Sequence, residues 1–273
     1  MNHYNLSGLR LDPKVFQHPA DKAITDTILG SDEFRKVINF IGEHALEGML
    51  SSLYLSTYAH LTEKNAPELV CMSREAAEMF GLERAPELFI KRTYSMSSEV
   101  QCFNRPMIML STELLNHFSD RATWAAIAAC ASSVRNGYCE IEMMKRTIQN
   151  IGWLLPNGTA KAMHQMIVQW EKASQLSFDR AALIASGDLN TVMEIILGGD
   201  MPLDQMRRID FSDPSCSYMI QCLEFAEDQG AVMNSIRTLD ALYYDEMMPA
   251  VRYLALFDFY QTEYQDLLEA HMG

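Results

Sequence analysis

The chain has 273 residues, 48% of them hydrophobic and 21% charged, enough for one large domain or one domain with an appendage. Its formal net charge of −14 repels phosphate backbones and anionic surfaces, which excludes nucleic acid as an expected partner. No run approaches the roughly 18 uninterrupted apolar residues of a spanning helix; the richest, Trp124 to Ala131, is short and mostly alanine.

The opening MNHYNLSGLRLDPK lacks a basic start followed by an apolar stretch, so no secretory signal is expected and a cytoplasmic protein is predicted. Residues 1–17 read as irregular. A short helix is predicted from Asp21 to Leu29, opening after His18-Pro19 because proline is tolerated in a first helical turn. Ser31 reads as an N-cap, with Asp32 and Glu33 where the helix dipole favours acids. Phe34, Val37, Ile38, Ile41, Ala45, Met49 and Leu53 then form one apolar stripe on a helix running to about Leu53. Another helix spans Glu68 to Phe80, stopped by Gly81.

Glu87 to Tyr94 and Val100 to Leu110 are rich in β-branched and aromatic residues and are separated by Ser95-Met96-Ser97-Ser98. They predict a pair of strands in a small sheet, the second bent or at an edge where Pro106 cannot donate. Ser111 or Thr112 caps a short helix ending near Phe118. Ser119 caps the next, which runs to about Val134 before Asn136-Gly137. Helix follows over Ile141 to Leu154 and, after a break at Pro156-Asn157-Gly158, over Ala160 to Leu176; Phe178 to Ser186 continues or restarts it, and Leu189 to Leu197 follows. Asp200 to Ser217 reads as a linker. Tyr218 to Asp228 and Thr238 to Leu268 read as helices, the last rich in aromatics that pack on their own domain. The six cysteines form no Cys-x-x-Cys pair and are expected to be reduced and mostly buried. The 19 methionines read mainly as core fillers.

Several of these strings, in this order, resemble the peptidase domain of HtpX-type zinc metallopeptidases. They are His18-Pro19-Ala20-Asp21, Ala66-Pro67-Glu68-Leu69, Pro86-Glu87-Leu88-Phe89-Ile90, the stretch Arg105 to Leu115, and Ser177-Phe178-Asp179-Arg180-Ala181. The likeness covers roughly residues 10–200. It implies an α+β, mostly helical, zincin-like (gluzincin) domain with a small sheet and added C-terminal helices. The implied division is a metallopeptidase-like domain over 1–199 and a linker with a helical segment over 200–273, packed on the same domain.

The resemblance also implies where a zinc site would fall. The family's His-Glu-x-x-His would begin at Ala129, putting its histidines at Ala129 and Ser133 and its general-base glutamate at Cys130. The third ligand would fall at Gln175, and Asp179 would support a histidine that is absent. Zinc takes imidazole, thiolate or carboxylate ligands, and a structural zinc contributes on the order of 10–16 kcal/mol; a neutral hydroxyl and amide do not supply that. No cofactor is therefore expected, although zinc belongs to the family pattern. Hydrolysis by this route also needs a carboxylate to move the proton of a metal-activated water, and Cys130 is not one. The expectation is a pseudopeptidase, an inactive relative acting as a peptide- or protein-binding, scaffold or regulatory protein. The alternative is a zinc-dependent endopeptidase or other hydrolase with a relocated or residual site. Of the histidines, none has another three or four residues away, and Cys130, mid-helix among alanines, reads as a packing thiol rather than a nucleophile. A retained cleft would hold an extended peptide along a sheet edge, with Gln101, Phe103, Met107 and Met109 as candidate contacts. Asp179 and Arg180 read as a structural pair or a helix-packing contact.

Overall fold

A computed structural model of the chain describes residues 10–43, 46–102, 105–151, 159–228, 230 and 247–271. After a 3-10 turn at Pro13–Val15 come α1 (Pro19–Gly30), α2 (Asp32–Glu43), α3 (Leu46–Thr57), β1 (Ala59–Leu61), α4 (Pro67–Met79) and β2 (Glu87–Lys91). The hairpin β3 (Ser98–Cys102) and β4 (Pro106–Ser111) leads into α5 (Thr112–His117), α6 (Asp120–Arg135), α7 (Tyr138–Ile151) and α8 (Thr159–Ser186). α9 (Leu189–Leu197), α10 (Leu203–Met206), α11 (Ser217–Glu227), α12 (Pro249–Thr262) and α13 (Tyr264–His271) complete the described elements.

α6 is the centre of the α+β fold. Ala125, Ala126, Ala128, Ala129 and Ala131 have no exposed surface. Single-carbon side chains let neighbours approach from several sides, and a helix apolar all round has to be buried. α4, α8, α9 and the sheet supply those neighbours. Ser119 Oγ accepts from Ala122 N at 3.1 Å and caps α6; Ser111 Oγ does the same for α5 through Leu114 N at 3.0 Å. Past the ends of α4 and α6, Gly81 and Gly137 take φ of 66° and 82°, where a side chain is disfavoured.

The sheet has the order β1-β2-β4-β3, with β2 and β4 parallel and the other pairings antiparallel. Alternation splits β4: Ile108 and Leu110 enter the main core, whereas Met107 and Met109 join Phe89 under Tyr54 of α3 and Tyr58 just past its end. A further core packs Ile28, Phe34 and Val37 of the first two helices against Tyr138, Ile141, Met144 and Trp170. α12 lies on α8, α9 and α11, and brings Tyr253, Leu256 and Phe259 into the main core.

Several sequence expectations are changed by the structure. The predicted strand Val100 to Leu110 is a hairpin that turns between Cys102 and Pro106, and Pro106 is tolerated because it opens β4. The three-residue strand β1 was not anticipated. Leu53 is 57% exposed, because Tyr54 and Tyr58, not Leu53, face the sheet. Cys139 is disulfide-bonded and Cys71 is exposed, against six reduced and mostly buried thiols; a bond between residues that folding brings together leaves no local signature. Phe178 to Ser186 continues the preceding helix rather than restarting it, since α8 is continuous. Of the helix predicted over Thr238 to Leu268, residues 238–246 lie outside the described residues, and the rest is divided at Glu263. No helix among the described residues is long and apolar enough to cross a membrane.

Candidate functional site

α6 packs on α8, and both α6 and α7 pack on the outer strand β3, with α7 also against α6 and α8. Between these four elements is a cavity of about 450 Å³. Its floor carries Cys130 and Ser133 of α6, and its α8 wall carries Gln175. Three of the four positions assigned by resemblance therefore open onto one cleft, with Ala129 fully buried behind them.

The polar atoms at these positions are already engaged. Ser133 Oγ donates to Ala129 O at 3.0 Å, the usual back-bond of a mid-helix serine. Gln175 Oε1 accepts from Met247 N at 3.0 Å, which pins the chain just before α12. Burial pushes the Cys130 thiol up to about 12, against the opposing effect of a hydrogen bond with Ser98. At neutral pH it is a thiol, and a buried one, 1% exposed. His117 and His164 are both exposed and do not line the cleft.

Asp179, 1% exposed, is held by a two-pronged pair with Arg252 of α12, Nη2 to Oδ1 at 2.6 Å and Nε to Oδ2 at 2.8 Å. Burial raises its carboxyl above the ordinary value, while Arg252 pulls in the opposite direction. The partner is thus Arg252 and not the adjacent Arg180. Arg180 instead donates to Phe16 O at 3.2 Å and covers the Phe259 ring at 4.3 Å. Neighbours on a helix point about 100° apart, so consecutive charges rarely face each other.

Of the strand-edge candidates, Gln101 lies on β3 with its side chain buried, and Phe103 falls outside the described residues. Met107 and Met109 belong to β4, which is flanked by β2 and β3, and both are buried under α3. They are not edge residues. Among the described residues the edge strands of the sheet are β1 and β3, and β3 is the one that borders the cleft.

The cleft's charges were not anticipated. Glu142, Lys145 and Arg146 on one face of α7 meet Glu171 of α8 and Glu99 of β3. Lys145 Nζ bonds Glu171, and Arg146 Nη2 bonds Glu99 Oε2 at 2.9 Å. Lys91 Nζ reaches Glu99 Oε1 at 3.2 Å. Burial raises the Glu99 carboxyl, but Lys91 and Arg146 together hold it below its ordinary value. The i, i+3, i+4 spacing of the α7 charges was readable as one helical face; nothing local says that the face is turned inward.

The described residues do not fit a zinc ion at this place. Ala129 has no donor atom, and the hydroxyl and amide at Ser133 and Gln175 are neutral and engaged. Among the described residues no three His, Cys, Asp or Glu side chains converge to hold a metal.

The chain is 25% identical over 224 residues to the plastoglobule-localized metallopeptidase 48, chloroplastic, of Arabidopsis thaliana. The match covers 76% of this chain and 63% of that relative. No family model matches the chain, and no solved structure matches it.

Proposed function

We propose that the chain is a non-catalytic relative of HtpX-type zinc metallopeptidases that holds an extended segment of a peptide or protein in the cleft beside β3. One observation carries this reading. At the positions where the resemblance puts ligands and general base, the cleft presents a buried neutral thiol, a back-bonded serine and a glutamine spent on the backbone. The similarity to a metallopeptidase supports a peptide as the guest. The unpaired side of β3 supports main-chain pairing as the grip. In this reading residues 1–199 form the metallopeptidase-like part, and residues 200–273 close over it through Arg252 and Met247.

A second reading, a zinc endopeptidase with a relocated site, draws on the same similarity to a metallopeptidase. Two measurements on the purified full chain separate them. Elemental analysis is expected to find far less than one zinc per chain after dialysis against micromolar zinc. An unfolded casein substrate is expected to stay intact with or without zinc, while retarding on a column of immobilised chain. Stoichiometric zinc with chelator-sensitive cleavage would falsify the non-catalytic reading.

A further inference from the structure

In the corner of the cleft between α7 and α8 two carboxylates compete for one ammonium. Glu142 and Glu171 both face Lys145. Lys145 Nζ is bonded to Glu171 and stands 3.7 Å from Glu142 Oε2, beyond hydrogen-bond reach. Lys91 and Arg146 both bond Glu99, so the cavity's three cations and three carboxylates balance in total, with Arg146 acting on Glu142 only through space. Glu142 and Glu171 share one ammonium, and its hydrogen bond goes to Glu171.

Glu142 is the carboxylate that loses that competition. It accepts no hydrogen bond from a described residue, although a carboxylate has room for about four. Its side chain is 19% exposed, and the cavity is what it is exposed to. Burial raises its carboxyl above the ordinary value, with Lys145 opposing. An anion in that state gains more from an incoming cation than from a neutral donor. The chain's net charge of −14 acts in the same sense at longer range, concentrating cationic partners near the surface.

We infer that Glu142 anchors a lysine or arginine side chain of the segment held in the cleft, so that the cleft selects basic peptides. This rests on the capture reading above. Once the guest cation is in place, the corner holds two carboxylates against two cations.

Fluorescence anisotropy on the full chain tests it with three labelled decapeptides of identical Ala/Thr/Val sequence, carrying lysine, norleucine or glutamate at the centre. The lysine peptide is expected to bind roughly tenfold tighter than the norleucine peptide, and the glutamate peptide weakest. In Glu142→Gln the lysine peptide drops to the norleucine level, while the norleucine peptide keeps its affinity. Equal affinities of the lysine and norleucine peptides in the wild-type chain, or a lysine preference that survives Glu142→Gln, overturn the inference and leave capture standing. Binding of none of the three overturns capture and the inference together. The wild-type comparison decides the matter by itself if the variant folds poorly.

Discussion

Arg252→Met removes one half of a pair whose other half cannot reach water. Asp179 is 1% exposed, and its two oxygens receive their hydrogen bonds from the Arg252 guanidinium at 2.6 and 2.8 Å. Breaking a buried pair by deleting one partner costs about 3–5 kcal/mol, because the survivor is left charged and unsolvated. For a chain of this size that is a fall in melting temperature of roughly 6–20 °C, at about 2–4 °C per kcal/mol. The pH dependence identifies the mechanism. Burial already raises the Asp179 carboxyl, and Arg252 restrains it; without Arg252 it rises further. A carboxyl whose folded value lies above its unfolded value takes up a proton on folding. Its contribution is complete below the unfolded value and is lost as pH rises through the folded one. The deficit of Arg252→Met relative to wild type is therefore smallest near the ordinary Asp value of 3.8 and full at neutral pH. Urea unfolding followed by tryptophan fluorescence from acidic to neutral pH reads this directly. Asp179→Leu combined with Arg252→Met is expected to recover most of the loss at neutral pH, since it leaves no buried charge. A deficit below about 1 kcal/mol that is flat with pH would mean that Asp179 is solvated, and the reasoning fails.

Three other perturbations have defined outcomes. Glu99 has the opposite sign, since Lys91 and Arg146 hold it below its ordinary value despite burial. Its contribution is present above its unfolded value and disappears as pH falls through the folded one. Glu99→Gln is expected to cost about 1 kcal/mol at neutral pH, discounted for partial exposure, and nothing in acid; a loss that persists in acid would point to packing instead. Thiol labelling at pH 8 followed by peptide mass mapping should mark exposed Cys71 first. Cys130 and Cys222, raised by burial to about 12 and about 11, should label only on unfolding. Rapid alkylation of Cys130 in the folded chain would revive it as a nucleophile. Asp21→Ala strips the acceptor from Tyr138, Ser177, Thr25 and Gln17, which all donate to its buried carboxylate. A loss of at least about 3 kcal/mol is expected in the same unfolding assay, and a loss under 1 kcal/mol would show that water replaces those bonds.

What sequence could read was local chemistry. Ser111, Ser119, Gly81 and Gly137 mark helix ends because a cap or a left-handed residue acts within a few positions, and the structure puts them there. The apolar stripe at Phe34 and Val37 marks a buried face for the same reason. The misreadings lie where a distant partner overrides local preference. Whether the helix continues past Leu176 is open in the sequence; the Ser177 hydroxyl accepts from His18 N and donates to Asp21 within a continuous α8. Tyr54 and Tyr58 turn toward the sheet because Met107 and Met109 are there to receive them, which no periodicity in α3 announces.

The cleft divides along the same line. Ala129, Cys130, Ser133 and Gln175 were found by likeness to a motif, and Asp179 with them, but which atoms they engage was not readable. Arg252 lies 73 residues from Asp179, and Met247 lies 72 from Gln175. The charges of α7 show the limit most sharply. Glu142 and Lys145, three apart, look like an ordinary solvated helix pair. Glu171, 26 residues beyond Lys145, takes the ammonium's hydrogen bond and leaves Glu142 with the longer 3.7 Å contact. Such a competition is a property of opposed faces rather than of either helix. The part of this site that would choose a ligand is therefore the part that a motif comparison, built on one helix at a time, passes over.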